Sequence, residues 1–323
     1  MPYPTVYEPI ATNKTDVTLQ ATDHPDHHNQ LARILNTVQQ QHVPDVARAN
    51  LLTNGGMEIW QRGNGPYTAN NSYVADQWVL AGLTSGTASV TKETAIVDTG
   101  SRASLKVAFT YGSSYIYFRQ FIKSSDGYQI AGRTLGLSVS VRSTVANTVN
   151  LRAATDGTSA PDIRSARNTQ ANVWERLAFT VTVPADATFI VFDVEVNASC
   201  TAYLDNAMLV VGSVPADYAP MHPADDLARC QRYYEILGET ANELYHSAYG
   251  LATTSDDIPI SYHVRKAVTP TITKNGTWTV ANCSQPVIIA IGPNSTGLRT
   301  TPSATAAFTW ANTANGVTVE ANP

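Results

Sequence analysis

Between residues 50 and 220 the chain alternates short apolar runs with turn-forming residues. In "TLGLSVSVRS", Leu135, Leu137, Val139 and Val141 alternate with small polar residues, which is the period of a half-buried strand. Similar runs recur at short intervals: "YVADQWVLAG", "TASVTKETA", "ASLKVAFTY", "YIYFRQFIK", "TVNLRAATD", "WERLAFTVTVP", "TFIVFDVEV" and "CTAYLDNAMLVVG". Nine or ten strands in one region predict a mainly β protein whose residues 50–220 form a jelly-roll β-sandwich.

The first 46 residues have a different pattern. "MPYPTVYEPIATNKTDVTLQATD" contains three prolines and no sustained period, so we expect an extended arm that attaches to a partner surface. The next residues, up to Pro44, predict one short helix with an N-cap at Asp23. Its apolar stripe consists of Leu31, Ile34, Leu35 and Val38. A helix of this length is marginal alone, so we expect the stripe to be covered by the next domain or by trimerisation.

Residues 221–323 predict a connector and a smaller C-terminal β-domain. "PADDLARCQRYYEIL" opens with Pro223 and Asp225, which is typical of a short helical or extended connector. Strand-like runs then resume from "LYHSAYGLATT" to the last residues. The sequence therefore divides into an arm with a helix (1–46), a sandwich (50–220) and this third region.

Composition narrows the function classes. Only 15% of residues are charged, the formal net charge is -5, and no basic run occurs, so we expect no nucleic-acid partner. The three widely spaced cysteines predict neither a disulfide network nor a zinc site. Because Met1 is followed by Pro-Tyr-Pro-Thr and no apolar stretch is long enough to span a bilayer, we expect synthesis in a host cytoplasm without membrane insertion.

Several segments in order resemble one family. "NLLTNGGMEIWQRG", "YVADQWVL", "LDNAMLVVG", "ARCQRYYE" and "IPISYHVRKAVTPTIT" together resemble the segment order of bacteriophage tail fibres and other virion fibre or spike proteins, in which a carbohydrate-binding-module-like jelly roll precedes a small β-domain. The resemblance implies a homotrimer located in the virion, attached through residues 1–46 to another capsid, collar or tail protein, and contacting host-surface polysaccharide. The sequence has no collagen-like tract or long shaft pattern, so a compact spike or head decoration stays open beside a tail fibre.

The same resemblance implies a structural calcium ion. In sandwiches similar to carbohydrate-binding modules, an acidic residue of the first strand and one of the last strand hold the ion together. The matching positions are Glu58 in "GGMEIW" and Asp205 in "YLDNAM". The alternative is that both are ordinary hydrogen-bonded residues. On this interpretation "NLLTNGGMEIWQRG" begins the first strand of the jelly roll.

Aromatic residues supply the candidate glycan or subunit contacts, since flat apolar sugar faces pack on aromatic rings. In "SSYIYFRQF", strand alternation places Tyr115, Tyr117 and Arg119 on one face. Trp60 belongs to the same set of candidates, while Trp78, which lies in an apolar run, is predicted to fill the core.

No enzyme signature is present. The sequence contains no GxSxG, HExxH or P-loop motif. The acid pairs Asp225–Asp226 and Asp256–Asp257 are adjacent, so on a strand their side chains would point to opposite faces. We therefore expect a non-enzymatic protein. The alternatives are a polysaccharide-degrading enzyme that uses the jelly roll as its binding module, and a purely structural capsid or collar component.

Overall fold

The computed structural model describes residues 49–322. The arm, the helix and its stripe Leu31, Ile34, Leu35 and Val38 lie outside the described residues, so those predictions stay predictions. By their contacts, residues 48–323 cluster as one compact unit. The mainly β fold class is confirmed: twenty strands and one α-helix follow one another in the described part of the chain.

Eleven strands form two antiparallel sheets. The six-stranded sheet has the spatial order β1 (Ser72–Tyr73), β2 (Val79–Ala81), β5 (Ile116–Lys123), β10 (Phe189–Val196), β7 (Val149–Thr155), β8 (Asp162–Arg167). The five-stranded sheet has the order β3 (Gly86–Glu93), β4 (Ser104–Tyr111), β11 (Cys200–Val211), β6 (Thr134–Ser143), β9 (Glu175–Thr182). Every run predicted as a strand between residues 72 and 211 contains a strand, and β8 is the one that the pattern missed.

One hydrophobic core lies between these sheets. The four alternating apolar residues predicted for β6 are all fully buried in it, together with inward residues of β10 such as Phe192 and Val194. Trp78 is also fully buried, as predicted, with its ring edge against Phe192 at a centroid distance of 5.8 Å. The two sheets therefore form a β-sandwich with apolar residues inward and polar residues outward.

The opening segment "NLLTNGGMEIWQRG" is not a strand, and this prediction was wrong. Asn54 and Met57 have φ values of 53° and 52°, in the left-handed region, which interrupts extended backbone. The Asn54 side chain donates to the carbonyls of Ile59 and Asp76 and accepts from the Ile59 amide. A Cβ at Gly55 would lie 2.4 Å from the Ala207 carbonyl oxygen. The segment is thus a loop fixed by asparagine side chains and packed closely against β11.

A short helix, α1 (Pro223–Gln231), connects the sandwich to the C-terminal strands. The His222 side chain accepts from the Ala224 amide at the N-terminus, and Asp225 and Asp226 lie in the first turn, where the helix dipole favours negative charge. Of the two predicted forms of this connector, the helical one is confirmed. Among the described residues, no helix is long and apolar enough to cross a membrane.

The C-terminal strands form three antiparallel sheets of three strands each. They are β12 (Tyr234–Leu237), β20 (Val317–Glu320) and β15 (Thr271–Lys274); β13 (Tyr245–Gly250), β19 (Ala306–Ala311) and β16 (Thr279–Ala281); and β14 (Asp256–Ser261), β18 (Ser295–Thr300) and β17 (Val287–Ile291). A second, smaller core draws from all three sheets, including Leu237, Phe308 and Leu298. These strands therefore surround a core of their own.

Arg62 joins the sandwich to the C-terminal strands. Its guanidinium carbon lies 3.7 Å from the ring centroid of Tyr234 and 4.8 Å from that of Tyr73. The guanidinium also pairs with Glu320 at 3.1 Å and lies 3.9 Å from the buried Asp76 carboxylate. Stacking and ion pairing on one side chain fit the clustering of both β regions as one unit.

Candidate functional site

Strand alternation on β5 gives the predicted pattern of faces. Ile116, Phe118 and Ile122 are buried in the core, whereas Tyr117 and Arg119 lie on the outer face of the six-stranded sheet. Tyr115 precedes β5, and its ring lies 6.0 Å from that of Tyr111 at the end of β4. The structure therefore brings Tyr117 and Arg119 together and places Tyr115 at the end of the sandwich.

Trp60 is not available as a sugar contact, and this prediction was wrong. The residue is 7% exposed and belongs to the sandwich core. Its indole nitrogen donates to the Met57 carbonyl at 2.7 Å, and its ring stacks on Tyr67 at 6.2 Å. A ring held in this way has no free face for a ligand. The apolar pattern did not indicate the left-handed conformation of Met57, which lies three residues before Trp60.

Two fully buried carboxylates lie on the outer face beside Tyr117 and Arg119. Asp193 is 0% exposed and Glu195 is 1% exposed, although both point away from the core on β10. Asp193 is directly opposite Arg119 on β5 and Arg152 on β7. Buried carboxylates are costly unless they are paired, so the neighbouring strands have to supply cations.

Three arginines supply that charge in a continuous chain of ion pairs, which we call the ladder. Arg119 binds Asp193 with two hydrogen bonds of 2.7 and 2.9 Å, and Arg152 donates to the same carboxylate. Arg152 also binds Asp162 with two hydrogen bonds of 2.9 Å. The remaining links join Arg164 to Asp162 at 2.9 Å and to Glu195 at 3.2 Å. The hydrogen bonds from Arg152 hold the pKa of Asp162 below its usual value.

Aromatic rings border the ladder along β5. Tyr117 lies 5.4 Å from the guanidinium carbons of both Arg119 and Arg152. A Cβ at Gly82 would lie 2.7 Å from the Tyr117 ring, so a glycine is needed there for the ring to adopt its position. Phe121, four residues along, is 46% exposed and lies 5.6 Å from the Arg119 guanidinium. We call the surface made by Tyr117, Arg119, Phe121 and the ladder the ladder face.

Sequence reasoning missed most of the ladder. The signal was present in "TFIVFDVEV", where Asp193 and Glu195 occupy alternate positions of an otherwise apolar strand. Acids at such positions require cations on the neighbouring strands. Arg119 and Arg152 lie on strands that pair with β10 over long sequence separations, and Arg164 lies on β8, which has no apolar period, so these arginines were not identifiable from spacing alone.

A separate cavity of about 580 Å³ lies near the predicted calcium residues. The polar residues in its lining include Glu58, Asp98, Arg102, Tyr218 and Asp226. Burial raises the pKa of Asp226, whose carboxylate accepts from the Asn54 amide at 3.0 Å. The cavity thus combines carboxylates, a tyrosine and an arginine.

The residues around Glu58 and Asp205 do not fit a calcium ion as they are arranged. Both Glu58 carboxylate oxygens accept from Arg102, through its backbone amide at 3.0 Å and its guanidinium at 2.9 and 3.2 Å. Asp205 accepts from the amides of Asp98 and Asn206 at 3.1 and 2.7 Å. Within residues 49–322, no three His, Cys, Asp or Glu side chains converge to hold a metal. Calcium at this place stays a prediction.

Comparison with known proteins identifies no family. No protein-family model and no curated protein matches the chain. Among solved structures, the enzymatically active domain of bacteriophage CBA120 tailspike protein 4 is 17% identical with a TM-score of 0.35, covering 50% of this chain and 21% of that chain. The CBM22-1 xylan-binding domain of Paenibacillus barcinonensis Xyn10C is 12% identical with a TM-score of 0.36, covering 52% and 97%.

TmCBM61, solved with β-1,4-galactotriose, is 14% identical with a TM-score of 0.34, covering 51% of this chain and 99% of that chain. The chain spans only about a fifth of the tailspike chain. Such low scores and identities assign neither family nor ligand, so the candidate function rests on the residues themselves.

Proposed function

We propose that this chain is a structural protein of a bacteriophage virion, a tail fibre, spike or head decoration, that contacts host-surface glycan through the ladder face. The order of its sequence segments supports the virion role. The observation that supports glycan contact is the Tyr117–Arg119–Phe121 row on β5, in which two rings flank a fixed guanidinium. The chain acts in this proposal as a binding protein and not as an enzyme.

The chemistry of the ladder face suits a sugar. Apolar sugar faces pack on aromatic rings, and sugar hydroxyls need donors and acceptors that are held in place. Phe121 offers the more exposed ring. Arg119 and Arg152 are fixed by their carboxylates, so less side-chain entropy is lost when a ligand binds. Preorganised polar groups beside an aromatic ring are what distinguish a binding face from an ordinary sheet surface.

The charges of the ladder indicate the class of glycan. Three arginines are matched by three carboxylates, so the formal charge of the ladder is zero. A polyanionic chain would meet as many carboxylates as arginines. We therefore infer a neutral glycan, or one with few charges, whose hydroxyls bond to the ladder.

The test is binding of neutral bacterial surface polysaccharides to the full chain, measured by affinity electrophoresis. Phe121→Ala removes the exposed ring and is expected to weaken binding about five- to tenfold, since an aromatic contact contributes about 1 to 1.5 kcal/mol. Val173→Ala, at a residue of similar exposure before β9, is the matched control. Unchanged affinity of the Phe121 variant, with binding by the unaltered chain intact, excludes the ladder face.

Anchoring and assembly belong to the same proposal. We infer a homotrimer attached through residues 1–46 to another virion protein. Light scattering coupled to size exclusion compares the full chain with residues 48–323, which form a compact unit. A trimer only in the full chain assigns assembly to the first residues; trimers in both assign it to the β regions; monomers in both refute the assembled fibre.

Hydrolysis of a polysaccharide is a second candidate function, and one observation favours it. Asp226, whose pKa is raised by burial, lines the same cavity as Glu58, and a carboxyl group with a perturbed pKa in a cleft is a candidate acid or base. The test is release of reducing ends from the polysaccharide that binds, with Asp226→Asn as the inactivating variant. Product that persists in Asp226→Asn, or no product at all, excludes catalysis at this cavity.

A further inference from the structure

The outer face of the β13–β19–β16 sheet carries two strongly exposed tyrosines. Tyr245 is 60% exposed and Tyr249 is 72% exposed. They lie on the same side of β13, because His246 and Ala248 alternate with them and pack inward. The His246 ring, for example, lies 5.6 Å from Trp310 in the core. Neither tyrosine therefore contributes its ring to the core of this region.

Small uncharged residues fill the surface between the two rings. Across β13, Tyr245 is opposite Ala311 and Tyr249 is opposite Ala307, while Ser247 is opposite Thr309 between them. On the other side of β19 the outward residues are Thr279, opposite Ala311, and Ala281, opposite Thr309. The outward positions of these three strands carry no charge. We call this surface the tyrosine face.

The two tyrosines are separated along β13 by small residues. Residues four apart on a strand are about 13 Å apart, and the side chains between the rings are short. The Tyr249 hydroxyl donates to the Thr305 carbonyl at 3.4 Å, which helps to hold that ring at one end. Two exposed aromatic rings therefore lie along one side of β13, with the hydroxyl residues Ser247 and Thr309 between them.

We propose that the tyrosine face binds a neutral oligosaccharide, whose sugar rings stack on Tyr245 and Tyr249 and whose hydroxyls bond to Ser247 and Thr309. This inference adds a second glycan-binding site to the proposed function. It rests on the proposed function only for the class of ligand, which is glycan. Aromatic rings and fixed hydroxyls are the groups that recognise sugars. The absence of charge on the outward positions selects a neutral ligand.

A second copy of the chain suits this face less well. The centre of a stable protein interface is apolar and closely packed. Here the centre consists of Ser247 and Thr309, with alanines beside them, and the large rings lie at the ends. Two such faces in contact would bury the central hydroxyl groups, and a buried hydroxyl group without a hydrogen-bond partner costs free energy.

The experiment uses the full chain and the same panel of neutral bacterial surface polysaccharides. Tyr245→Ala and Tyr249→Ala are each expected to weaken binding about tenfold, and the double variant about a hundredfold. Tyr245→Phe and Tyr249→Phe keep the rings and are expected to stay within about twofold of the unaltered chain. Near-ultraviolet circular dichroism of each variant reports whether the fold is kept.

The outcomes separate this inference from the proposed function. Weaker binding in the Tyr245 and Tyr249 variants and also in Phe121→Ala is the expected result and supports both faces. Loss of binding in the Tyr245 and Tyr249 variants, with Phe121→Ala unaffected, supports the tyrosine face and refutes the ladder face. Loss of binding in Phe121→Ala, with the Tyr245 and Tyr249 variants unaffected, overturns the tyrosine face and supports the ladder face. A fall in molar mass of the Tyr245 and Tyr249 variants with unchanged affinity assigns the face to a second copy and overturns the inference. Failure of the unaltered chain to bind any of the polysaccharides overturns both.

Discussion

Replacing Asp205 by Asn is expected to change how the stability of the protein depends on pH. Asp205 lies on β11 with its side chain fully buried. Its carboxylate accepts hydrogen bonds from the amides of Asp98 and Asn206. Burial, which disfavours the charged form, outweighs these bonds and raises the pKa of Asp205 to about 7. The folded protein therefore keeps this group protonated at pH values where the unfolded chain ionises it.

The sign and size of the effect follow from proton linkage. Between about pH 4 and pH 7 the unfolded chain has lost the proton of Asp205 and the folded chain has kept it, so the free energy of unfolding falls as pH rises. The slope is about 1.4 kcal/mol per pH unit, which gives on the order of 4 kcal/mol across the window. This contribution is fully present below about pH 4 and is lost as pH rises through 7. Asn does not titrate, so Asp205→Asn lacks it.

The assay is urea unfolding followed by tryptophan fluorescence at a series of pH values from about 4 to 8. The difference in unfolding free energy between the unaltered chain and Asp205→Asn should fall steadily with pH and become constant above about pH 7.5. Asp162→Asn is the control, because Arg152 lowers the pKa of Asp162 and its contribution is lost only below about pH 4, so the difference for this variant should stay constant from about pH 4 to 8. If the unfolding free energies of the unaltered chain and Asp205→Asn change with pH in parallel, Asp205 does not keep its proton in the folded protein and the reasoning is refuted.

Three further predictions concern the loop at Asn54, the contacts of Arg62 between the two β regions, and calcium at Glu58. Asn54→Ala should lower the unfolding free energy by about 2–4 kcal/mol in urea titrations, because it removes three side-chain hydrogen bonds from a fully buried, left-handed residue. Asn71→Ala, at an exposed left-handed residue, is its control, and equal losses would contradict the role of the hydrogen bonds. Arg62 contacts both the sandwich and the C-terminal strands, so Arg62→Ala should split the calorimetric unfolding transition into two. Arg102→Ala, which changes an exposed side chain, is the control and should leave one transition. A single transition in both variants would show that other contacts join the two β regions. The Arg102 guanidinium occupies a Glu58 carboxylate oxygen that a calcium ion would need. About 1 mM calcium should therefore raise the melting temperature of Arg102→Ala and not that of the unaltered chain. A rise in the unaltered chain alone would support a calcium site at Glu58 and Asp205 in the arrangement seen here.

The strands could be predicted because their pattern is local. A buried strand between two sheets shows alternation or a continuous apolar run within eight to ten residues, as in β6 and β10. The same alternation assigned Tyr117 and Arg119 to the outer face. The strand β8 was missed because its residues Asp162–Arg167 have no apolar period: it lies at the sheet edge and is largely exposed.

The loop before the first strand could not be predicted from its apolar residues. "NLLTNGGMEIW" reads as a strand with a glycine interruption, but its conformation depends on bonds from Asn50 and Asn54 to residues far along the chain, such as Ala207. Likewise, the ladder depends on which strands are neighbours in the sheet. Trp60 shows the consequence for function, since its ring is buried in the sandwich core and its indole nitrogen donates to the Met57 carbonyl of the same loop.

The two candidate faces use the same spacing of rings with different chemistry between them. Tyr117 and Phe121 on β5, and Tyr245 and Tyr249 on β13, are each four residues apart on one side of a strand. Between the first pair lies Arg119, held by a buried carboxylate; between the second pair lies Ser247. The ladder has no formal net charge and the proposed ligand is neutral, so salt has no charge–charge attraction to screen at either face. Glycan binding at both faces should therefore change little with ionic strength, and a steep fall with rising salt would indicate a charged ligand and contradict the neutral glycan.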